Sequence, residues 1–132
     1  MRDFDQDTIK MINTFENITG SEVRDCICSE KIYFLLSPGK IALTIGKGGQ
    51  TIKTAERLIK KAIKVFEWSE DAEQLIRNMM PKVQKIELNA TSAVVTLESK
   101  DKGSVIGKEG SNIKILRELL SRNSNIKELK IL

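Results

Sequence analysis

The 132-residue sequence contains no histidine, and its only cysteines are Cys26 and Cys28. Without imidazole, a histidine-based catalytic triad and a metal centre ligated by histidine are both excluded. The two cysteines are at most half of a zinc site, because a structural zinc needs about four ligands and the chain has no second cysteine pair. We therefore interpret them as ordinary half-buried residues of one strand, and we expect neither a metal nor a cofactor.

Aromatic residues are also scarce, with one Trp, one Tyr and four Phe. A nucleic-acid reader that stacks bases on aromatic rings has little to work with in such a chain. If the protein contacts bases, those contacts should be mostly aliphatic.

Long hydrophobic runs are missing as well. The longest run, residues 32–36, falls far short of the ~20 residues that a membrane-spanning helix needs. Residues 1–5 carry no apolar signal segment. With 40% hydrophobic and 30% charged residues, the composition is typical of a folded globular protein. We expect a cytoplasmic protein without a membrane partner.

One motif occurs twice in the chain. The pattern Ile-Gly-Lys-x-Gly-x-x-Ile-Lys begins at Ile45 and again, 61 residues later, at Ile106. A strand-like run precedes each copy, and a helical run and another strand-like run follow it. Such a repeat predicts two copies of one module, over residues 1–69 and 70–132. No Gly/Ser/Pro-rich linker separates them, so we expect the modules to be docked without a flexible linker.

Each copy predicts the element order α-β-β-α-α-β, which is the α+β class. In the first copy we predict a helix over 5–19, strands over 23–28 and 31–36, a short helix from Ser37-Pro38 to Gly46, a helix over 50–61 and a strand over 63–68. In the second we predict a helix over 70–80 with Ser69 as its N-cap, strands over 83–88 and 93–98, a short helix before Gly107, a helix over 111–122 and a strand over 126–132.

The repeated glycine loop joins two helices. Backbone amides at the start of the second helix and its dipole favour an anion, and missing side chains let a phosphate backbone come close. The alternative is a tight turn in which the glycines only supply positive φ. The spacing fits neither the P-loop pattern nor the dinucleotide fingerprint, and both of those loops join a strand to a helix.

Charge is distributed in the same way in both copies. Residues 37–64 hold seven cations and one anion, whereas residues 1–36 hold four and seven. Residues 99–132 hold eight cations and four anions, whereas residues 70–98 hold three and five. This segregation is typical of a surface that meets a phosphate backbone. We also expect a single basic helix face made of Lys53, Arg57, Lys60, Lys61 and Lys64.

The motif between two helices in this element order resembles the type II KH domain, whose GXXG loop holds about four nucleotides of a single strand. A tandem pair with these loops is similar to the archaeal NusA-like factors of transcription termination and antitermination. The resemblance covers the whole chain. It implies helices packed on one face of a small mixed sheet, single-stranded RNA and RNA polymerase as partners, and no small-molecule substrate.

The resemblance also assigns RNA-binding residues. It places against the RNA backbone the two loops Gly46, Lys47, Gly48, Gly49 and Gly107, Lys108, Glu109, Gly110, with the nearby cations Lys53, Arg57 and Lys114. It places near the groove floor, where bases pack, the aliphatic residues Ile45, Ile52, Ile106 and Ile113. Isoleucine beside a turn between helices is usually core, and we expect these four mainly to build the module.

Glu109 distinguishes the second loop from the first. Its carboxylate should repel phosphate or turn aside to cap the following helix, where an anion is favoured. We therefore expect the two modules to contribute unequally to binding.

The leading hypothesis is a non-enzymatic single-stranded RNA-binding factor in transcription elongation or termination. The alternative is a KH-type adaptor in ribosome assembly or RNA processing, distinguished by its protein partner. An enzyme is disfavoured because the carboxylates are dispersed rather than clustered. A double-stranded DNA reader of the helix-turn-helix type does not need such a glycine loop.

Overall fold

The computed structural model describes residues 5–132. Residues 1–4 of the N-terminal stretch considered above for a signal segment lie outside that range. The chain divides into two compact units, the first ending at Trp68 and the second beginning at Ser69. Each unit contains its own three-stranded sheet. Among the described residues, no helix has both the length and the hydropathy needed to cross a bilayer.

The described residues of the first unit, from Asp5 onward, form three helices and three strands. These are α1 (Gln6–Thr19), β1 (Val23–Cys28), β2 (Ile32–Leu36), α2 (Ile41–Ile45), α3 (Gln50–Ile59) and β3 (Ile63–Glu67), with a single 3₁₀ turn at Lys47–Gly49. Helix α1 begins where the Asp5 carboxylate accepts the Thr8 amide at 2.7 Å, and it ends at Gly20 with φ 71°. A polar N-cap and a left-handed glycine are the usual signals for these two positions.

The first sheet has the order β1-β2-β3. Strand β1 is antiparallel to β2, and β3 is parallel to β2, so the sheet is mixed. Helices α1 and α3 cover the face that carries alternate residues of β2. The core cluster on that face consists of Phe15, Cys26, Ile32, Phe34, Leu36, Ala55 and Ile63. Within it the rings of Phe15 and Phe34 stack with centroids 4.0 Å apart.

The second unit repeats the element order. Its elements are α4 (Ala72–Met79), β4 (Lys85–Asn89), β5 (Ser92–Thr96), α5 (Ser99–Ile106), α6 (Ser111–Asn123) and β6 (Glu128–Ile131), with a 3₁₀ turn at Lys108–Gly110. Strand β4 is antiparallel to β5, and β6 is parallel to β5. The buried face of α6 carries Ile113, Leu116, Leu119 and Leu120. The predicted α+β class and the α-β-β-α-α-β order are thus confirmed.

Two predicted helix starts are wrong. Helix α2 begins at Ile41 rather than at Ser37-Pro38, because Gly39 has φ 91°, outside the helical region. The Gly39 amide instead donates to the Glu67 carboxylate at 2.9 Å. Helix α4 is capped by Asp71, whose carboxylate accepts the Gln74 amide, and not by Ser69.

Helices α3 and α6 are tied to the following strands by different side chains. Helix α3 ends at Ile59, since Lys60 takes a left-handed conformation with φ 66°. The Glu56 carboxylate accepts the amide of Ile63, the first residue of β3, at 2.8 Å. At the equivalent position of α6, Arg117 donates from Nε to the carbonyl of Leu129 in β6 at 3.1 Å. One tie is an anion that accepts, and the other is a cation that donates.

Candidate nucleic-acid interface

The first glycine loop is a single closed turn between α2 and α3. The Gly46 amide donates to the Ala42 carbonyl at 2.9 Å and so ends α2, while the Gly49 amide donates to the Gly46 carbonyl at 3.1 Å. The Gln50 amide donates to the Lys47 carbonyl and so begins α3. Among the hydrogen bonds of the described residues, none has the amide of Lys47 or Gly48 as its donor.

Helix α2 is anchored from below by a buried hydroxyl pair. Thr44 is fully buried, and its hydroxyl bonds the Lys40 carbonyl at 2.9 Å and the Ser21 hydroxyl. Because Ser21 directly follows the α1 C-cap, this pair fixes α2, and with it the entrance to the loop, to the rest of the unit.

The first glycine of the loop is required by packing. Gly46 has φ 78° and ψ 171°, a combination that is essentially restricted to glycine. A Cβ on Gly46 would lie 2.3 Å from Thr51 Oγ1 and 2.8 Å from Thr51 Cβ. The loop therefore folds directly onto the first turn of α3, and no side chain fits between them.

The third position of the loop is open by comparison. A Cβ on Gly48 would meet no atom within 4 Å, and only its φ of 63° favours glycine. The last glycine, Gly49, has φ 75° and its added Cβ would meet only Lys53 Cε at 3.8 Å.

The second loop reproduces this backbone. Gly107 has φ 78° and ψ 173°, and a Cβ there would lie 2.8 Å from both Cβ and N of Asn112. Gly110 has φ 75° and donates to the Gly107 carbonyl at 3.2 Å. An additional bond, from Asn112 Nδ2 to the Val105 carbonyl at 2.8 Å, ties α6 back to α5.

Glu109 occupies the position of Gly48 in the same left-handed conformation, with φ 56° and ψ 28°. Side chains with a Cβ rarely adopt this conformation. Its carboxylate is exposed, and the N-cap of α6 is Gly110, with no side-chain cap hydrogen bond. Of the two alternatives left open by the sequence, the structure does not show Glu109 capping the helix, and the anion stays at the loop surface.

The predicted cations of the two loops are all solvent-exposed. They are Lys47, Lys53, Arg57, Lys108 and Lys114. In the part of the chain that the structure describes, none of the five belongs to an ion pair. Their charges therefore remain available to an external anion.

The basic face expected on the third helix is shorter than predicted. Helix α3 ends at Ile59, so Lys60 lies at its C-cap and Lys61 lies beyond it. Lys64 belongs to strand β3, and Lys61 Nζ donates to the Ser29 carbonyl at 3.0 Å. Only Lys53 and Arg57 of the predicted five lie within the helix itself.

Comparison with known protein families supports the resemblance drawn from the loops. A family model described as NusA-like second KH domain matches residues 72–131. A protein of Methanocaldococcus jannaschii named probable transcription termination protein NusA is 28% identical over 131 residues, covering 94% of this chain and 72% of that protein. The protein of the same name from Thermoplasma acidophilum is 32% identical over 134 residues, covering 96% and 93% of the two chains.

The chain belongs to the archaeal NusA-like KH family. The chain is also similar to a solved structure described as the crystal structure of APE1850. The two chains are 30% identical and superimpose with a TM-score of 0.76, and the match covers 98% of this chain and 100% of the other.

The four isoleucines of the NusA-like loops do not share one environment. Ile113 is only 5% exposed and lies in the core, as predicted for all four. Ile52 and Ile106 are half-buried. Ile45 is 40% exposed, so the core interpretation is wrong for this residue, which projects from the last turn of the short helix α2.

One exposed residue of this NusA-like chain was missed by sequence reasoning. Leu43 is 64% exposed on α2, two residues before Ile45. The signal was present in the repeat, since the equivalent residue of the second copy is Ser104, and a serine at the matching position indicates a solvent-facing site. Helix α2 thus presents two apolar side chains to solvent directly before the first loop.

Proposed function

We propose that the protein binds single-stranded RNA and acts, without catalysis, in transcription elongation or termination in the cytoplasm. The observation that carries this proposal is the recurrence of one glycine-loop backbone in both units, each with an exposed lysine at its second position. A turn that only reversed the chain would need the glycines but not the repeated lysine.

The first loop suits a phosphate group. The amides of Lys47 and Gly48 make none of the hydrogen bonds that close the turn, and amides at a helix N-terminus attract anions. Gly48 and Gly49 leave the backbone uncovered by side chains, so a phosphate can come within hydrogen-bonding distance. Lys47 then supplies a cation, and Lys53 and Arg57 extend the positive surface along α3.

The bases would meet aliphatic surface. Ile45 and Leu43 are exposed beside the first loop, where they can pack against the bases of a bound strand. In the second unit Ile106 is half-buried and Ile113 is almost fully buried, so that unit offers less apolar surface to a base.

The role in transcription rests on the family. The archaeal relatives are named probable transcription termination proteins, and RNA polymerase is accordingly the protein partner that we propose. An affinity-tagged full chain should retain RNA polymerase from an archaeal lysate. Retention of ribosomal particles without polymerase would instead support the adaptor in ribosome assembly.

The RNA-binding mode is tested by comparing single-stranded and duplex RNA of the same sequence at several salt concentrations. We expect preference for the single strand and an affinity that falls steeply with salt, since phosphate contacts release counterions. Equal affinity for both forms, or binding that salt does not change, would reject the proposed mode.

The loop itself is tested by Lys47→Asp combined with Gly48→Asp. The added side chain at Gly48 meets no atom, and aspartate tolerates left-handed φ better than most residues, so the fold should survive. A matched control is Lys10→Asp with Asn13→Asp, which makes the same charge change at two exposed positions of α1. We expect the loop variant to lose most RNA binding and the control to lose little. Equal losses would show that only net charge matters.

A further inference from the structure

Three sulfur atoms lie together in the first unit, away from the glycine loop. Cys26 and Cys28 alternate on β1 and therefore point to the same face of the sheet. Their Sγ atoms are 4.0 Å apart. The Cys28 Sγ lies 3.8 Å from Sδ of Met11, which packs from α1 against the core cluster that contains Cys26.

These separations suit a metal ion held by sulfur. With a metal–sulfur bond of ~2.3 Å, two ligands of one ion are about 4.0 Å apart in a planar trigonal site and about 3.8 Å apart in a tetrahedral one. The Cys26–Cys28 and Cys28–Met11 separations both lie in this range, so Cys28 can share an ion with either of the other two sulfurs.

The donor set selects the metal. Two thiolates and one thioether are soft ligands, and soft sulfur ligands favour Cu(I). Zinc is disfavoured because its structural sites take about four ligands, and no group of three or more Cys, His, Asp or Glu residues within the described range is arranged to hold a metal. The third donor of the cluster is instead the thioether sulfur of Met11.

Access is provided at one side of the cluster. Cys26 is buried, whereas Cys28 is exposed, and Met11 is half-buried. An ion carried by a small thiol can therefore reach Cys28 first and then engage the two inner sulfurs.

In contrast to the expectation from the sequence that the cysteines hold no metal, we propose that Cys26, Cys28 and Met11 form a Cu(I) site that ties α1 to β1. Binding deprotonates the two thiols and releases up to two protons, while the thioether stays neutral. No change in the oxidation state of copper is involved. Because the ion binds the folded unit through residues of two elements, occupancy stabilises that unit.

The test is an anaerobic titration of the full chain with Cu(I) in competition with bathocuproine disulfonate. We expect one Cu(I) per chain and a higher Tm in its presence. Cys28→Ser, at an exposed position, should remove binding at the competitor concentration that the wild type withstands. Met11→Leu should weaken binding at least ~10-fold, the lower bound for losing even an outer-shell partner.

Met80→Leu is the matched control, because it makes the same exchange at a buried methionine of the second unit and should leave the affinity unchanged. Wild-type affinity in Met11→Leu would overturn the three-sulfur site. A stoichiometry of half an ion per chain with dimer formation would also overturn it, since it would mean that exposed Cys28 residues bridge two molecules.

Discussion

Replacing Glu109 by glycine should change stability and RNA binding by separate mechanisms. Glu109 has φ 56° and ψ 28°, close to the φ 63° and ψ 20° of Gly48. A left-handed residue with a Cβ costs roughly 1–2 kcal/mol. Glycine removes that cost but loses about 0.5–1 kcal/mol through its more flexible unfolded chain. The net gain in the free energy of unfolding, from the midpoints of these two ranges, should be ~0.7 kcal/mol.

The effect on RNA binding comes from charge. A carboxylate 4 Å from a phosphate is repelled by about 1 kcal/mol in water, which corresponds to roughly fivefold in affinity. The Debye length is ~8 Å at physiological ionic strength, so the gain should shrink as salt is added. Glu109 is exposed and does not cap α6, so nothing in the described loop holds the carboxylate away from a bound phosphate.

Glu109→Gln separates the two mechanisms, because it removes the charge and keeps the Cβ. We expect both variants to bind single-stranded RNA more tightly at low salt in a fluorescence-anisotropy titration. Only Glu109→Gly should raise the Tm of the transition, by ~2–8 °C for a unit of this size. Weaker RNA binding by Glu109→Gln would refute the repulsion argument and show that the carboxylate makes a favourable contact. An unchanged Tm in Glu109→Gly would refute the strain argument.

Two further predictions concern the loops. Lys47→Ala should lower the slope of log affinity against log salt by ~0.7, the value for one phosphate contact on a single strand. Lys108→Ala should lower this slope less, because Glu109 already offsets the charge of Lys108. Equal reductions in slope would contradict the expectation that the two units contribute unequally. In a urea melt, Gly46→Ala should lower the free energy of unfolding by ~2–5 kcal/mol, since the backbone conformation of Gly46 is nearly restricted to glycine and the new Cβ overlaps Thr51. Gly48→Ala should lower it by only ~1 kcal/mol. Similar losses would mean that Gly46 is not needed for the close approach of the loop and α3.

Much of the fold could be predicted because local signals agree with the tertiary structure. Helix α1 ends at Thr19, as predicted, with Gly20 as its C-cap, and the strand-like run before each loop is the central strand of a sheet. The repeat supported each assignment, because the same pattern at equivalent positions of both copies predicts the same element twice.

The errors occur where one residue overrides a local pattern. Ser37-Pro38 is a good helix start, but the following Gly39 has φ 91° and delays α2 by three residues. The spacing of Lys53, Arg57, Lys60, Lys61 and Lys64 suits one helix face, but the chain turns at Lys60. The periodicity of these cations does not reveal where α3 ends, because that end depends on a tertiary contact, in which the Glu56 carboxylate accepts the first amide of β3.

The candidate site was predictable in position and less so in environment. The glycine spacing located both loops, and their exposed lysines lie where expected. The exposure of Ile45 was not predictable, because a helix of only five residues, Ile41–Ile45, has too few turns for a buried face to be inferred from spacing.

The opposite polarity of the two helix-to-strand ties has a kinetic consequence. In the first unit the tie uses Glu56, the only acid among residues 37–64, and directs its half-buried carboxylate to the first amide of β3. In the second unit the tie uses Arg117 instead, and the exposed Glu118 lies on the surface 3.8 Å from Arg122. Long-range attraction accelerates encounter most where the field has one sign. We therefore expect a diffusing RNA strand to bind first to the first unit, in which Glu56 forms the tie. The second unit should bind the strand after that encounter, and its contacts should slow dissociation.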